Sequence, residues 1–238
     1  MSFGTLYLIP TSISEGEVAG IPEQVRTQLK RLDYFLVENV RTARRYISSL
    51  KLGLIIEELD FQELSKKTSG PQVEHLMMPV MEGKSVGILS ESGCPGVADP
   101  GARAVEFAHK HGIKVVPLVG PSSILLALMA SGLNGQKFAF HGYLPIKVPE
   151  LQQVIKSLER SSVKEGYAHI FIETPYRNNQ LLENLSKIAH PETMLCVAKD
   201  LTGQAEFIRT LPLKMWKKEK VDLHKTPCIF ILQAALAS

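Results

Sequence analysis

The stretch that decides the fold of this chain is Val86-Gly87-Ile88-Leu89-Ser90-Glu91-Ser92-Gly93-Cys94-Pro95-Gly96-Val97-Ala98-Asp99-Pro100-Gly101. It opens as a short apolar run, Val86 to Leu89, of the kind a buried strand uses, and then breaks into glycines and prolines before a helical pattern begins. A strand, a turn-rich loop and a helix in that order are the unit of an open α/β sheet, in which ligands bind at the carboxyl ends of the strands. Asp99 is placed to cap the helix, with Pro100 at its first position. The loop is neither G-x-G-x-x-G nor a P-loop, since no Gly-Lys-Ser/Thr follows the glycines, so spacing alone names no cofactor. A tight connection without a ligand would carry the same residues.

Working outward, Leu6 to Ile9 reads as a first strand, Pro22 to Leu32 as a helix, Tyr34 to Val37 as a second strand and Thr42 to Leu50 as a helix with Arg44 and Arg45 exposed. Leu54 to Glu57 is expected as a third strand and Gly70 to Glu82 as a helix. Arg103 to Lys110 follows as a helix stopped at Gly112, then Ile113 to Leu118 as a strand. This alternation calls for a mainly parallel sheet over residues 1–119. Ser122 and Ser123 lead into Ile124 to Ala130, a nearly all-apolar helix expected to be buried, whose start suits capping or an anionic group.

Residues 120–238 read as a second, mixed α/β domain. Its strands are Phe138 to Tyr143, His169 to Glu173 and Met194 to Ala198, with helices Leu151 to Leu158 and Leu181 to Ile188. Phe207 to Leu211 and Cys228 to Leu232 are expected to pair as antiparallel strands around a basic helix, Leu213 to Val221.

The 238 residues are 45% hydrophobic and 21% charged, the balance of an ordinary globular protein. A net charge of +3 permits a nucleic-acid partner without requiring one. No window reaches the ~18 apolar residues of a membrane span, and Met1 to Thr11 reads as a first strand rather than a signal peptide. A cytoplasmic protein is the expectation. Cys94, Cys196 and Cys228 are too scattered for a disulfide framework or metal site, and Cys94 reads as a small filler of the loop rather than a nucleophile.

The order of these pieces resembles the tetrapyrrole methylase superfamily, the class III S-adenosylmethionine-dependent methyltransferases, and within it the ribosomal RNA small subunit methyltransferase I branch. Residues 90–101 are similar to the family's S-D-A-G-T-P-G-x-S-D-P-G, and Pro117-Leu118-Val119-Gly120-Pro121-Ser122-Ser123 also matches. Ser131-Gly132-Leu133, Phe138 to Pro145 and Glu173-Thr174-Pro175-Tyr176-Arg177 extend the likeness, which covers the chain from Leu6 to about Leu232. It implies a homodimer of two α/β domains with S-adenosyl-L-methionine in the cleft between them. It also implies an RNA substrate in the small ribosomal subunit, methylated on a cytidine ribose 2′-hydroxyl.

By that resemblance Pro10, Ile13, Ser92, Gly93, Cys94, Val97, Ser122, Ser123, Ile124, Ile172, Glu173, Thr174, Thr226 and Pro227 surround the cofactor. Glu38, Arg41 and Lys199 are the catalytic candidates, with Glu38 or Lys199 assisting deprotonation. Arg44, Arg45, Tyr176 and Arg177 are expected at the substrate, the arginines with Arg41 on RNA phosphates, and Lys214, Lys217 and Lys218 as a further basic surface.

The sequence departs from the branch at the substrate edge. Val37-Glu38-Asn39-Val40-Arg41 stands for A-E-D-T-R, Ile9-Pro10-Thr11-Ser12-Ile13-Ser14 for T-P-I-G-N-L, and Lys199-Asp200-Leu201-Thr202-Gly203 for R-E-L-T-K. Methylation of a small acceptor such as a tetrapyrrole carbon, or RNA binding without catalysis, therefore stay open as alternatives.

Overall fold

The computed structural model describes residues 2–234. The chain divides into two compact units, Met1–Ser122 and Ser123–Ser238. In the first, strands β1 (Thr5–Ile9), β2 (Tyr34–Val37), β3 (Asp60–Glu63), β4 (Val86–Leu89) and β5 (Lys114–Pro117) form one sheet in the order β3-β2-β4-β1-β5. All four pairings are parallel. The chain runs outward from β1 to β3, then returns through β4 to β5 on the other side. Its helices change face at that reversal.

Side chains along the strands serve both faces by simple alternation. Phe35, Val37, Leu89 and Ile9 point to the face covered by α1 (Glu23–Leu29) and α2 (Val40–Ser49), where they meet Val25, Leu29, Ala43 and Ile47. Tyr34, Leu36, Val86, Ile88 and Leu6 point to the other, covered by α3 (Gly70–Met81) and α4 (Gly101–Lys110) through Val73, Met77, Ala104 and Ala108. A strand buried on both faces must be apolar throughout, which is why Tyr34–Val37 and Val86–Leu89 were legible as strands.

The expected third strand at residues 54–57 is corrected. Residues Ile56–Glu58 form a short 3-10 turn, and the strand is the polar segment Asp60–Glu63. Leu54 and Ile56 supply an alternating pattern because they pack on the core from a loop, whereas β3, at the sheet edge, contributes Phe61 alone to that cluster. Helix α4 starts at Gly101, with Pro100 just before it and the Asp99 Oδ1 accepting from the Gly101 amide at 2.8 Å.

The second unit contains α5 (Ser123–Ser131), β6 (Phe138–Tyr143), α6 (Val148–Glu165), β7 (Ala168–Ile172), α7 (Asn178–Ile188), β8 (Met194–Lys199), β9 (Phe207–Pro212), α8 (Leu213–Trp216) and β10 (Cys228–Gln233). Its sheet runs β6-β7-β10-β8-β9, with β6 parallel to β7 and the remaining pairs antiparallel.

Three expectations are corrected here. β9 pairs with β8 and not with β10, because the fully buried run of β10 takes a central place between β7 and β8, while Arg209 and Thr210 suit β9 to an edge. The basic helix is only the four residues of α8, since Lys217 to Lys220 offer no apolar stripe, and Trp216 anchors its end by donating Nε1–H to the Leu195 carbonyl at 3.0 Å. Helix α5 is not buried all round in the chain: Ala127, Leu128 and Ser131 are its buried residues, facing β9 and β10, while Met129 is 79% exposed.

A histidine pair lies in this second sheet. His141 Nε2 and His169 Nδ1 are 2.9 Å apart, so one ring donates to the other. Burial first, and His141 second, lower His169 to about 4. The unfolded chain takes a proton here below about 6.5, and the folded chain does not until near 4, so folding is opposed increasingly as the pH drops through that interval. The melting temperature of the wild-type protein is therefore expected to fall more steeply between about pH 6.5 and pH 4 than that of His169→Gln. Parallel curves would remove His169 from the acid response.

Gly120 imposes a second constraint, because a Cβ there would meet Pro10 Cβ and Cγ at 2.2 Å. Only glycine lets the chain leaving β5 pass the end of β1 this closely. Gly120→Ala should cost about 1–3 kcal/mol of stability, read by denaturant unfolding. A variant as stable as the wild type would show that this approach is not required.

Candidate active site

The strand order sets the carboxyl ends of β2, β4 and β1 side by side, and the chain following each contributes to one cluster. The residue 90–101 loop is bound to the end of β1. The Gly93 carbonyl accepts from the Thr11 amide at 2.9 Å and from Ser90 Oγ at 3.1 Å, and Ser92 Oγ donates to the Ile13 carbonyl at 3.3 Å. Cys94 Sγ lies 3.3 Å from the Pro121 carbonyl, and burial pushes its thiol up, away from a thiolate nucleophile. Pro10, Ile13, Ser92, Gly93 and Cys94 are thus brought together, with Val97 exposed at the loop's tip and Ser122 next to Pro121. The loop is closed by Asp99, whose Oδ1 accepts from the amides of Gly96 at 2.7 Å and Gly101 at 2.8 Å.

Glu38 stands just past β2, next to this closure. Burial raises its carboxyl to about 7, the negative charges of Asp99 and then Glu91 add to the rise, and Lys66 opposes it. Glu38 and Asp99 line one crevice with Leu36, Leu64 and Ile88. Asn39 caps α2 by accepting from the Thr42 amide at 3.1 Å, so its replacement of the family's Asp keeps the local geometry. Arg41 is exposed in the first turn of α2.

The neighbouring arginines diverge, as successive helical positions must. Arg44 lies over the Phe61 ring, 5.5 Å from its centroid, whereas Arg45 pairs with Glu15. Asp99, Glu91 and Lys66 are members of this cluster that sequence reasoning did not single out as site residues. Glu91 and Asp99 could have been found from the strand order, because the chain leaving β4 had to run beside the chain leaving β2.

Thr11 is a further member, buried at 3% exposure, with its Oγ1 among the buried side-chain atoms that lack a hydrogen-bond partner. It lines a cavity of about 330 Å³ between the chain leaving β1 and helix α2.

In the second unit, Ile172 lies opposite Ile229 on antiparallel strands, so the chain leaving β7 runs beside the chain entering β10, where the Lys225 amide donates to the Pro175 carbonyl at 3.0 Å. Ile172 ends β7, and Ser123 and Ile124 open α5. Glu173, its side chain buried, accepts from the Thr174 amide at 2.6 Å and from the half-buried Arg177 at 2.5 Å, a pair that braces the turn into α7. Asn178 Nδ2 donates to the Thr226 carbonyl at 2.7 Å.

Tyr176 is 69% exposed, beside the His224 ring and with Lys225 Nζ 6.0 Å from its own ring centroid. Lys199 Nζ, at the end of β8, donates to the Asp222 carbonyl at 2.8 Å. Among the basic residues of the α8 region, Lys214 is paired with Glu192.

The family model for tetrapyrrole (corrin/porphyrin) methylases matches residues 20–215. A ribosomal RNA small subunit methyltransferase I of Escherichia coli O157:H7 is 29% identical over 98% of this chain and 78% of its own length. The protein of the same name from Mesorhizobium japonicum is 32% identical over 88% of this chain and 67% of its own.

Among solved structures, the methyltransferase CobJ aligns with a TM-score of 0.64 at 18% identity, covering 99% of this chain and 95% of that one. The uroporphyrin-III C-methyl transferase of Thermus thermophilus, complexed with S-adenyl homocysteine, aligns at 0.57 and 18% identity, covering 97% of both chains. These two are likenesses of fold. Two sheets of this topology, the loop at the end of β4 and the match across most of the sequence lead to one conclusion: the chain belongs to the tetrapyrrole methylase family and is an S-adenosyl-L-methionine-dependent methyltransferase.

Proposed function

We propose that this enzyme methylates the ribose 2′-hydroxyl of a cytidine in small-subunit ribosomal RNA, acting in the cytoplasm as a homodimer. The observation that carries the substrate is sequence identity of 29–32%, sustained over 87–98% of the chain, to enzymes named for that RNA. Among the described residues no helix is long and apolar enough to cross a membrane. The exposure of Met129 on the apolar helix α5, and of Tyr143 at the end of β6, supports a self-association surface.

The residues present fit the cofactor. Its amino acid and ribose carry hydrogen-bonding groups, and the loop bends without side chains at Gly93 and Gly96, both at positive φ, with Asp99 Oδ2 buried and without a partner beside it. Pro10, Ile13, Ser92, Gly93, Cys94, Val97 and Ser122 hold it from the first unit in this reading. Ser123, Ile124, Ile172, Glu173, Thr174, Thr226 and Pro227 are the cofactor candidates of the second unit, by the family resemblance. When bound, S-adenosylmethionine supplies an electrophilic methyl group on a sulfonium, which an oxygen nucleophile takes as the thioether leaves.

The chain's own part is to place the acceptor and take its proton. Glu38 is the base: a carboxyl held near 7 is ionised often enough at neutral pH to act and basic enough to accept a hydroxyl proton at its Oε. Arg41 and Arg45, both exposed, meet phosphates. Arg44 and Arg177 each keep an internal partner, Phe61 and Glu173, and lend the remaining guanidinium edge. Lys199, held by the Asp222 carbonyl, positions the strand end at the substrate edge, and Tyr176 with Lys225 forms a stacking platform for an unpaired base.

Methyl transfer from labelled S-adenosylmethionine to small ribosomal subunits lacking the modification tests both parts. For the wild type kcat/KM should rise with pH to a plateau above about 7. Glu38→Gln should lose at least about 100-fold in rate together with that inflection, while binding S-adenosylhomocysteine as the wild type does. Wild-type rate and profile in Glu38→Gln would remove the base. Absence of transfer by the wild-type protein would remove the substrate.

A further inference from the structure

Of the cofactor residues above, Ile13 alone lines the cavity of about 330 Å³ beside the β4 loop. Its walls come from Thr11, Ser12 and Ile13 after β1, from Thr42, Arg45, Tyr46 and Ser49 on α2, and from Ser90 and Glu91 after β4. Tyr46 fixes the distance between helix and strand by donating its hydroxyl to the Pro10 carbonyl at 2.8 Å. We propose that this cavity is the subsite for the acceptor nucleoside, which leaves its stack and enters between the end of β1 and helix α2. The proposal rests on the RNA reading above and deepens it.

Size, lining and position argue for it. A volume of about 330 Å³ lies at the small end of ligand pockets, right for one nucleoside and too small for a four-pyrrole macrocycle. Ile13, Ala43 and Tyr46 give apolar walls against which a planar base can lie. Among its polar groups Glu15 and Glu91 carry carboxylates, which suit the exocyclic amine of a cytosine.

Thr11 Oγ1, buried and unpartnered, is a polar side-chain atom of the kind a ligand satisfies. Arg45, paired with Glu15 where both side chains are exposed, can exchange that carboxylate for the nucleotide's phosphate. Finally, Thr11 and Ser90 belong both to this lining and to the hydrogen bonds that hold Gly93, so a nucleoside here would border the loop proposed for the methyl donor. Enzymes that act on a stacked base gain access to it by extrusion into such a pocket, and the same route carries the ribose of the extruded nucleotide with it.

Two substitutions fill the cavity from different walls, Thr42→Phe and Ser49→Leu, and Thr11→Val removes the buried hydroxyl at constant size. Transfer to unmodified small ribosomal subunits is measured alongside S-adenosylhomocysteine affinity. The proposal expects each filled variant to lose at least about 100-fold in transfer with cofactor-product affinity within about twofold of wild type. Thr11→Val should lose about tenfold in kcat/KM. Wild-type transfer by either filled variant overturns the proposal while leaving the RNA reading intact. Loss of S-adenosylhomocysteine affinity in both would assign the cavity to the cofactor and overturn it as well. A wild-type protein inactive on the subunits would remove the RNA reading, and the proposal with it.

Discussion

The first unit depends on one constraint, the closure of the loop after β4. A four-residue strand ends at Leu89, and within twelve further residues the chain must turn back into α4 at the sheet's carboxyl edge. Asp99 makes this possible by accepting two amides on one oxygen, Gly96 from within the loop and Gly101 at the start of the helix. The Gly93 carbonyl then binds the loop to the end of β1. A carboxylate so placed is expensive: burial raises its own titration and it raises that of Glu38. The carboxylate that closes the loop therefore adds to the effect of burial on Glu38, the proposed base.

Much of this was legible. The all-apolar runs of β2, β4 and β10 must be buried on both faces, and the Gly/Pro-rich loop between β4 and α4 could be read directly from residue type. The sequence reading set a domain boundary after residue 119, and the two compact units of the chain divide between Ser122 and Ser123. What failed were edge elements. β3 is polar because an edge strand is paired on one side only, and β9 was assigned the wrong neighbour because local patterns do not state which strand takes the centre. Helix α5 reads as buried on composition, yet composition cannot say which surfaces a helix meets.

The cluster around Glu38 shows the same limit. Glu38 was a candidate from its position past β2, but its relation to Asp99, Glu91 and Lys66 spans segments far apart in sequence and depends on β4 lying next to β2. Nor do the departures from the family pattern read as decay. Asn39 accepts the same amide a capping Asp would. Asp200 and Gly203 belong together: a Cβ at Gly203 would stand 2.3 Å from Asp200 Oδ1, so the carboxylate occupies space that any larger residue would need. Asp200 in turn binds the Ala205 amide at 2.9 Å and, at φ 49, shapes the turn leaving β8. The motif is altered as a set.

The central claim is that the loop held by Asp99 is where the methyl donor binds. Calorimetric titration of S-adenosylhomocysteine into the wild-type protein and Asp99→Ala tests it most directly. The account predicts saturable binding by the wild type and at least about tenfold weaker binding by the variant, the loss expected when a charged acceptor of two amides is removed. Equal affinity in the two proteins would contradict it, and failure of the wild type to bind would contradict it outright.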